Sequence, residues 1–344
     1  MTYEVTIGIP VYNAVRYVGG TLQSALAQDF ASIEFLVLDD CGTDGSIDIV
    51  RSLQQSHPRG ADIRIVRQPR NMGIGHGRNR IIDEARGRYL FFLDADDELP
   101  PRAISTLYGA ARQWQAQMVY GSCERVIDYG SGQHSRLEAF PAMQLLTNDD
   151  FGRYAYAAYG NIPANVWRFL IDVRVYRDHH LRFPDINFWE DFAMTIDLPL
   201  YVSRAVFVPD VTYRYYQRYG TLSNNQQRSR IAKDEIVSIA RAIGRLNMLS
   251  PALAAKPYAM ARIYKVVMTE FYIVCYVLKH RAVIQPGFSP RELRDLLRPS
   301  LPVGRMLRGG RFGLRLLVFR LLAACPPSLA VAAVRMVGRM RRLV

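Results

Sequence analysis

Along the first hundred residues, short unbroken apolar runs alternate with segments whose apolar residues recur at helical spacing. Val5–Val11 is the first run, and in Ala14–Gln28 the residues Val15, Val18, Leu22 and Leu26 share one helical face. Ile33–Leu38 is a second run, ending in two acids, and Gly45–Gln55 reads as a helix with Asp44 and Ser46 near its start. Ile63–Val66 is a weaker strand, Ile74–Ala85 a helix, and Tyr89–Leu93 a fourth strand that again ends in acids. Strands alternating with helices predict a parallel sheet covered on both faces. In such sheets ligands bind beyond the carboxyl ends of the strands. This sequence sets polar groups at those ends: Tyr12 and Asn13, Asp39 and Asp40, and then Asp94, Asp96 and Asp97.

From Asn148 to about Ser223 the pattern is mixed and aromatic-rich, and after Leu222 it becomes helical and basic. Charge sharpens that division. Residues 1–225 carry 22 Lys and Arg against 26 Asp and Glu, a net of −4, whereas residues 226–344 carry 22 against 5, a net of +17. Of the 44 cations 40 are Arg, which genome composition can explain, but composition does not explain their segregation along the chain. Two domains are expected, 1–225 slightly acidic and 226–344 helical, basic and with a different partner. With 344 residues, 49% hydrophobic and 22% charged, the chain can build a sizeable core, which excludes disordered and collagen-like classes. Cys41, Cys123, Cys275 and Cys325 lie far apart, so neither a zinc site nor a disulfide framework is expected. The opening MTYEVTIGIPVYNA lacks the basic and apolar regions of a signal peptide, and a cytoplasmic location is expected.

The strongest chemical signal is Leu93-Asp94-Ala95-Asp96-Asp97. Three carboxylates within four residues repel one another unless a cation or solvent relieves them. Two at D-x-D spacing on an extended chain can project to one side and suit a hard divalent ion shared with a diphosphate. The competing reading is an acidic turn ahead of a helix beginning near Pro101. At the end of the second strand, Asp39 or Asp40 can accept from a nucleobase or ribose hydroxyl, while Asp44 and Ser46 can serve as helix caps. In Asn71–Asn79 glycines allow close backbone approach and Arg78 can meet a diphosphate. The glycines do not form G-x-G-x-x-G, which disfavours a dinucleotide-binding oxidoreductase. Trp189-Glu190-Asp191-Phe192 opens a helical segment, where an acid pair is most simply a cap. The histidines form no metal-binding spacing, and no G-x-S-x-G elbow occurs.

Taken in order, VTIGIPVYNA, the run ending FLVLDD, RNMGIGHGRN, GRYLFFLDADDELPP and WED resemble family 2 glycosyltransferases of GT-A fold, over about Thr6 to Ser223. Asn165–Phe183 resembles the middle of members that build bacterial polysaccharides. The resemblance implies inverting transfer of a hexosyl-type sugar from a nucleotide-sugar donor, UDP-sugars favoured, to a glycan or lipid-linked glycan. It implies an α/β domain with a Rossmann-like, mainly parallel sheet, in which Pro10, Tyr12, Asn13, Asp39, Asp40, Arg78, Asp94, Ala95 and Asp96 bind the donor. Tyr12 would stack on the base. Asp94 and Asp96 would hold Mg²⁺ or Mn²⁺, with Asp96 the direct ligand. Asp191 would be the base that deprotonates the acceptor, with Glu190 expected to point elsewhere and Asp97 kept as a further candidate. Cys41 stands where a Gly or small polar residue is commoner, and Gly77 where Ala often is.

The basic third also allows a nucleic-acid-binding protein, or a non-catalytic relative serving in assembly. No nucleic-acid module is recognisable, and the acidic motifs are complete, so no nucleic-acid partner is expected. In Ser328–Val344, taken as a helix, Arg335, Arg339 and Arg342 share one face opposite Met336, Val337, Met340 and Leu343. No segment is long enough to span a bilayer. The expectation is peripheral attachment to an anionic membrane surface, at the inner face of the plasma membrane. The alternative is a helical bundle whose arginines face water.

Overall fold

The computed structural model describes residues 3–129, 132–158, 160–186, 188–218 and 229–344. The chain forms two compact units, Met1–Phe151 with Pro163–Asn225, and Gly152–Ile162 with Gln226–Val344. Residues 152–162, expected in the first domain, therefore pack with the C-terminal part. Tyr156 lies against Tyr258 there, and a Cβ on Gly152 would collide with the Tyr258 ring.

The first unit begins β1 (Val5–Val11), α1 (Val18–Leu26), β2 (Ile33–Asp39), α2 (Ser46–Ser56), β3 (Ile63–Arg67), α3 (Ile74–Glu84), β4 (Tyr89–Phe92) and α4 (Ala103–Gln113). Every residue of β2 and β4 is buried, as expected of strands covered on both faces. The order β3-β2-β1-β4 is parallel throughout, with Val11 opposite Asp39 and Gly8 opposite Phe92. Helix α3 sits close on this sheet because Gly8 leaves room for Ile81 and Gly77 for Leu38.

Then follow β5 (Met118–Asp128), β6 (Gln133–Glu138), β7 (Met143–Leu145), α5 (Asn148–Ala157), β8 (Phe169–Asp172), α6 (Arg174–Asp178), α7 (Glu190–Thr195), α8 (Leu198–Tyr201) and β9 (Ala205–Arg218). The sheet becomes mixed here: β8 lies antiparallel between β4 and β5, and β9 pairs parallel with β5. These strands carry charged and aromatic residues in weak alternation, so only pairing partners distant in sequence define them.

The second unit contains β10 (Ile231–Ala232), α9 (Lys233–Arg245), α10 (Pro251–Ala254), α11 (Ala259–Lys279), β11 (Ile284–Gln285), α12 (Pro290–Asp295), α13 (Val303–Leu307), α14 (Gly310–Ala324) and α15 (Pro327–Met340). Helix α11 is buried nearly all round, which marks it as the central element. Helices α14 and α15 pack against it and bury Leu316, Ala330, Val331 and Val334. The last helix is thus part of a core rather than a free amphipathic segment. It ends at Met340, with Arg342 at φ +57, so Arg342 does not continue the face expected for it. No described helix is long and apolar enough to cross a membrane.

Candidate active site

The acidic turn after β4 is held from the far side of the sheet. Asp97 is fully buried; its carboxylate accepts from the Tyr213 hydroxyl at 2.8 Å and the Tyr216 N–H at 2.7 Å. The Tyr213 oxygen accepts in turn from the Asp94 N–H at 3.2 Å, and Arg218 donates to the Asp96 carbonyl at 2.5 Å. Burial, with Asp96 and Asp94 nearby, pushes Asp97 well above the ordinary carboxylate range. Asp97 therefore fixes the turn, Ala95 is buried in the core, and Asp94 and Asp96 keep their carboxylates for other work. Tyr213, Tyr216 and Arg218 were not foreseen. Nothing in the Tyr-rich stretch of β9 distinguishes a residue that reaches the acidic turn from one that fills the core.

Arg78 of α3 lies at the centre of the site, with its side chain 3% exposed. One nitrogen donates to Asp94 at 3.1 Å, and another donates to Glu190 at 2.7 Å and to Asp191. Burial pulls the guanidinium down, but Asp191, Asp94 and Glu190 outweigh it and hold its pKa above the ordinary value. Arg78 was expected to meet a diphosphate; the partners its donors have here are carboxylates. Glu190 was expected to point away from Asp191, yet both acids reach the same nitrogen. They occupy the first turn of α7, entered from Trp189 at φ +67, and the guanidinium fits between their side chains. Three carboxylates around one cation leave negative charge in excess. Burial pushes Asp191 well above the carboxylate range, opposed by Arg78 and aided by Glu190 and Asp94. A carboxyl so raised is suited to take a proton.

What brings α7 to α3 is a pair of reciprocal hydrogen bonds: the Asn79 amide donates to the Phe183 carbonyl, and the Phe183 N–H donates to Asn79, each at 2.9 Å. Gly75 adds a close approach, since a Cβ there would lie 2.5 Å from the Pro184 carbonyl oxygen.

A cavity of about 250 Å³ lies at the ends of β1 and β2, bordered by Asn13, Asp39, Gly42, Thr43 and Arg67. The Asn13 side chain accepts from the Thr43 N–H at 2.8 Å, and Gly42 passes so close to Asn13 that a Cβ would be 2.8 Å from its nitrogen. Ser46 accepts from the Ala14 N–H at 2.8 Å and Asp44 from the Val15 N–H at 2.8 Å, so these two tie the β1 loop to α2. Asp39 and Asp40 separate clearly. Asp39 borders the cavity beside Arg67 at 3.4 Å, whereas Asp40 accepts from the Met72 and Gly73 N–H groups at 2.9 and 3.0 Å and anchors the approach to α3. Tyr12 is 51% exposed and Pro10 half-buried at the end of β1. Cys41 has φ +59, a conformation that costs glycine nothing and strains a residue with a Cβ.

The acidic turn fits a hard cation. Burial, with Asp94 beside it, pushes Asp96 up to about 6, against the opposing pull of Arg218. No group of three or more His, Cys, Asp or Glu able to hold a metal occurs among the described residues. Mg²⁺-type ions commonly take one or two carboxylates and complete their shell with water and substrate phosphates, so Asp94 and Asp96 suffice as protein ligands.

Comparison with known proteins agrees with this geometry. Residues 6–171 match the family model described as glycosyl transferase family 2. The cholesterol galactosyltransferase of Borreliella burgdorferi is 22% identical over 293 residues, 82% of this chain and 79% of that protein. The crystal structure of S. aureus TarS 1–349 in complex with UDP-GlcNAc shares the fold, with a TM-score of 0.56 at 16% identity, over 93% of this chain and 90% of that one. So does the mannosyltransferase PcManGT of Pyrobaculum calidifontis in complex with GDP-Man and Mn²⁺, with a TM-score of 0.52 at 16% identity, over 97% and 87%. With its acids gathered at the sheet's carboxyl edge, this chain carries a glycosyl transferase family 2 domain over residues 6–171 and is a glycosyltransferase of GT-A fold.

Proposed function

We propose that the protein transfers a sugar, with inversion, from a nucleoside-diphosphate sugar to a hydroxyl of a glycan or lipid-linked glycan in bacterial surface-polysaccharide synthesis. The observation that carries this reading is Arg78, whose one guanidinium joins Asp94 of the acidic turn to Asp191 of α7. Donor diphosphate and acceptor hydroxyl then meet in one place. Asp191 accepts the hydroxyl proton; the oxygen attacks the anomeric carbon from the face opposite the nucleotide; the bond to the diphosphate breaks and the nucleotide leaves. Asp94 and Asp96 would hold Mg²⁺ or Mn²⁺, which supplies charge stabilisation for the leaving diphosphate. Asp39 and the cavity beside it would take the nucleoside, with the exposed Tyr12 ring against the base. UDP is the favoured nucleotide, in keeping with the UDP-GlcNAc bound by TarS, although PcManGT binds GDP-Man.

The protein would work at the cytoplasmic face of the membrane. Support comes from α14, where Leu314, Val318 and Leu321 form an exposed apolar row flanked by Arg311 and Arg315.

The test is a transfer assay over UDP-, GDP- and dTDP-sugars, paired with calorimetry of the nucleoside diphosphate. Asp191→Asn is expected to abolish transfer while leaving nucleotide affinity within a fewfold, and EDTA to silence the wild type until Mg²⁺ or Mn²⁺ is restored. Near-normal transfer by Asp191→Asn removes the base assignment, and full activity in EDTA removes the metal.

A further inference from the structure

The second unit contains a cavity of about 470 Å³ that the transferase reading does not use. Its wall is apolar, built by Leu278 at the end of α11, Ile284 of β11, Leu293 of α12 and Val331 of α15, all of them buried. Two cations line it as well, Arg281 and Arg335. The volume falls in the range of sites for small organic ligands, and an apolar wall with a few polar groups is their usual chemistry.

The two guanidiniums distinguish this cavity from a packing defect. Neither has an ion-pair or hydrogen-bond partner among the described residues, although carboxylates nearby are already paired: Lys233 with Glu292 at 2.6 Å and Arg294 with Asp295 at 2.7 Å. The part of the chain from residue 226 onward carries 22 basic against 5 acidic residues, and two of those cations, Arg281 and Arg335, meet at one opening, where a bound anion would relieve their repulsion. A ligand that satisfies both features has a hydrocarbon body and an anionic head able to accept from a guanidinium fork. We infer that this cavity binds a long-chain anionic amphiphile, its chain against Leu278, Ile284, Leu293 and Val331 and its phosphate-type head held by Arg281 and Arg335.

The inference is independent of the donor, the metal and the base, all of which lie in the first unit. It also differs from surface attachment through α14, because it concerns one molecule in a cavity rather than a bilayer. The experiment is isothermal titration of the full chain with dodecyl phosphate below its micellar concentration. Parallel titrations use inorganic phosphate, which supplies the head without the chain, and dodecyl maltoside, which supplies the chain without charge.

Saturable one-to-one binding of dodecyl phosphate is expected, at least tenfold weaker for the double variant Arg281→Gln/Arg335→Gln. Ala282→Trp, which fills the opening of the cavity and keeps both arginines, should lose the binding too. Circular dichroism of both variants should match the wild type, as all three positions are exposed or half-buried. The inference fails if dodecyl phosphate does not saturate, or if wild type and double variant bind it equally. It also fails if inorganic phosphate or dodecyl maltoside binds as tightly as dodecyl phosphate.

Discussion

Arg78 is a single cation surrounded by Asp94, Glu190 and Asp191, and its burial is tolerable only because those carboxylates surround it. The converse also holds: each carboxylate depends on Arg78. Arg78→Met keeps the volume but leaves three acids without their cation, which should cost about 3–5 kcal/mol as for other broken buried pairs. Urea unfolding of the variant measures this, and an unchanged midpoint would show that the acids are solvated independently. Arg78→Lys should fall between, since an ammonium keeps the charge without a fork that reaches several acids at once. The four residues were all visible in the sequence as candidates. Their mutual contact was not, because Arg78 and Asp191 are separated by 113 positions.

At the scale of elements, the site depends on how α3 carries α7. The Asn79–Phe183 pair and the Gly75–Pro184 contact bring backbone against backbone, leaving no flexible side chain to absorb an added atom. Gly75→Ala should therefore push the 184–186 stretch away from α3. Overpacking of this kind typically costs about 1–3 kcal/mol. The more telling readout is transfer: kcat should fall while nucleoside-diphosphate affinity, set at β1 and β2, stays near wild type. Equal losses in both would place Gly75 outside this role. In α11 another element-scale effect is expected. Burial pushes Glu270 up to about 8, with Asn247 donating to it at 3.3 Å. The native state then keeps its proton to about pH 8, whereas the unfolded chain releases it near the ordinary Glu value of about 4.3. Because the native state binds more protons across that window, stability falls as pH rises through it. Glu270→Gln should match the wild type in thermal unfolding at pH 4 and exceed it increasingly up to pH 8. A constant difference across that range would mean that Glu270 does not titrate as described.

For the whole molecule, the separation of charge has a partner-level consequence. The C-terminal part combines its net positive charge with exposed apolar side chains on α14 and α15, where Leu314, Val318, Leu321, Leu329, Met336 and Met340 are all at least 59% exposed. Removing these helices would strip buried side chains from the core they share with α11, so substitution is the better probe. The variant Leu314→Gln/Val318→Gln/Leu321→Gln should pellet much less with anionic liposomes than the wild type, which should pellet at low salt and be partly released at high salt. Wild-type protein that stays in the supernatant at low salt would make these helices purely structural.

The sequence by itself determined what is local and periodic. The strands β1 to β4 and the helices between them follow from unbroken apolar runs and 3.6-residue spacing, and β1 and α3 begin at the residues expected of them. The placement of acids after β2 and β4 was legible for the same reason, since a strand's end is marked by where its apolar run stops. Tertiary structure decided what depends on contacts distant in sequence. It divided Asp39 from Asp40, turned Asp97 toward Tyr213, and brought Glu190 beside Asp191. It also assigned residues 152–162 to the second unit and enclosed part of α15 in a core. A carboxylate has the same periodicity whether it pins a loop, pairs with arginine or faces a ligand; only the groups that folding brings within about 3 Å distinguish these roles.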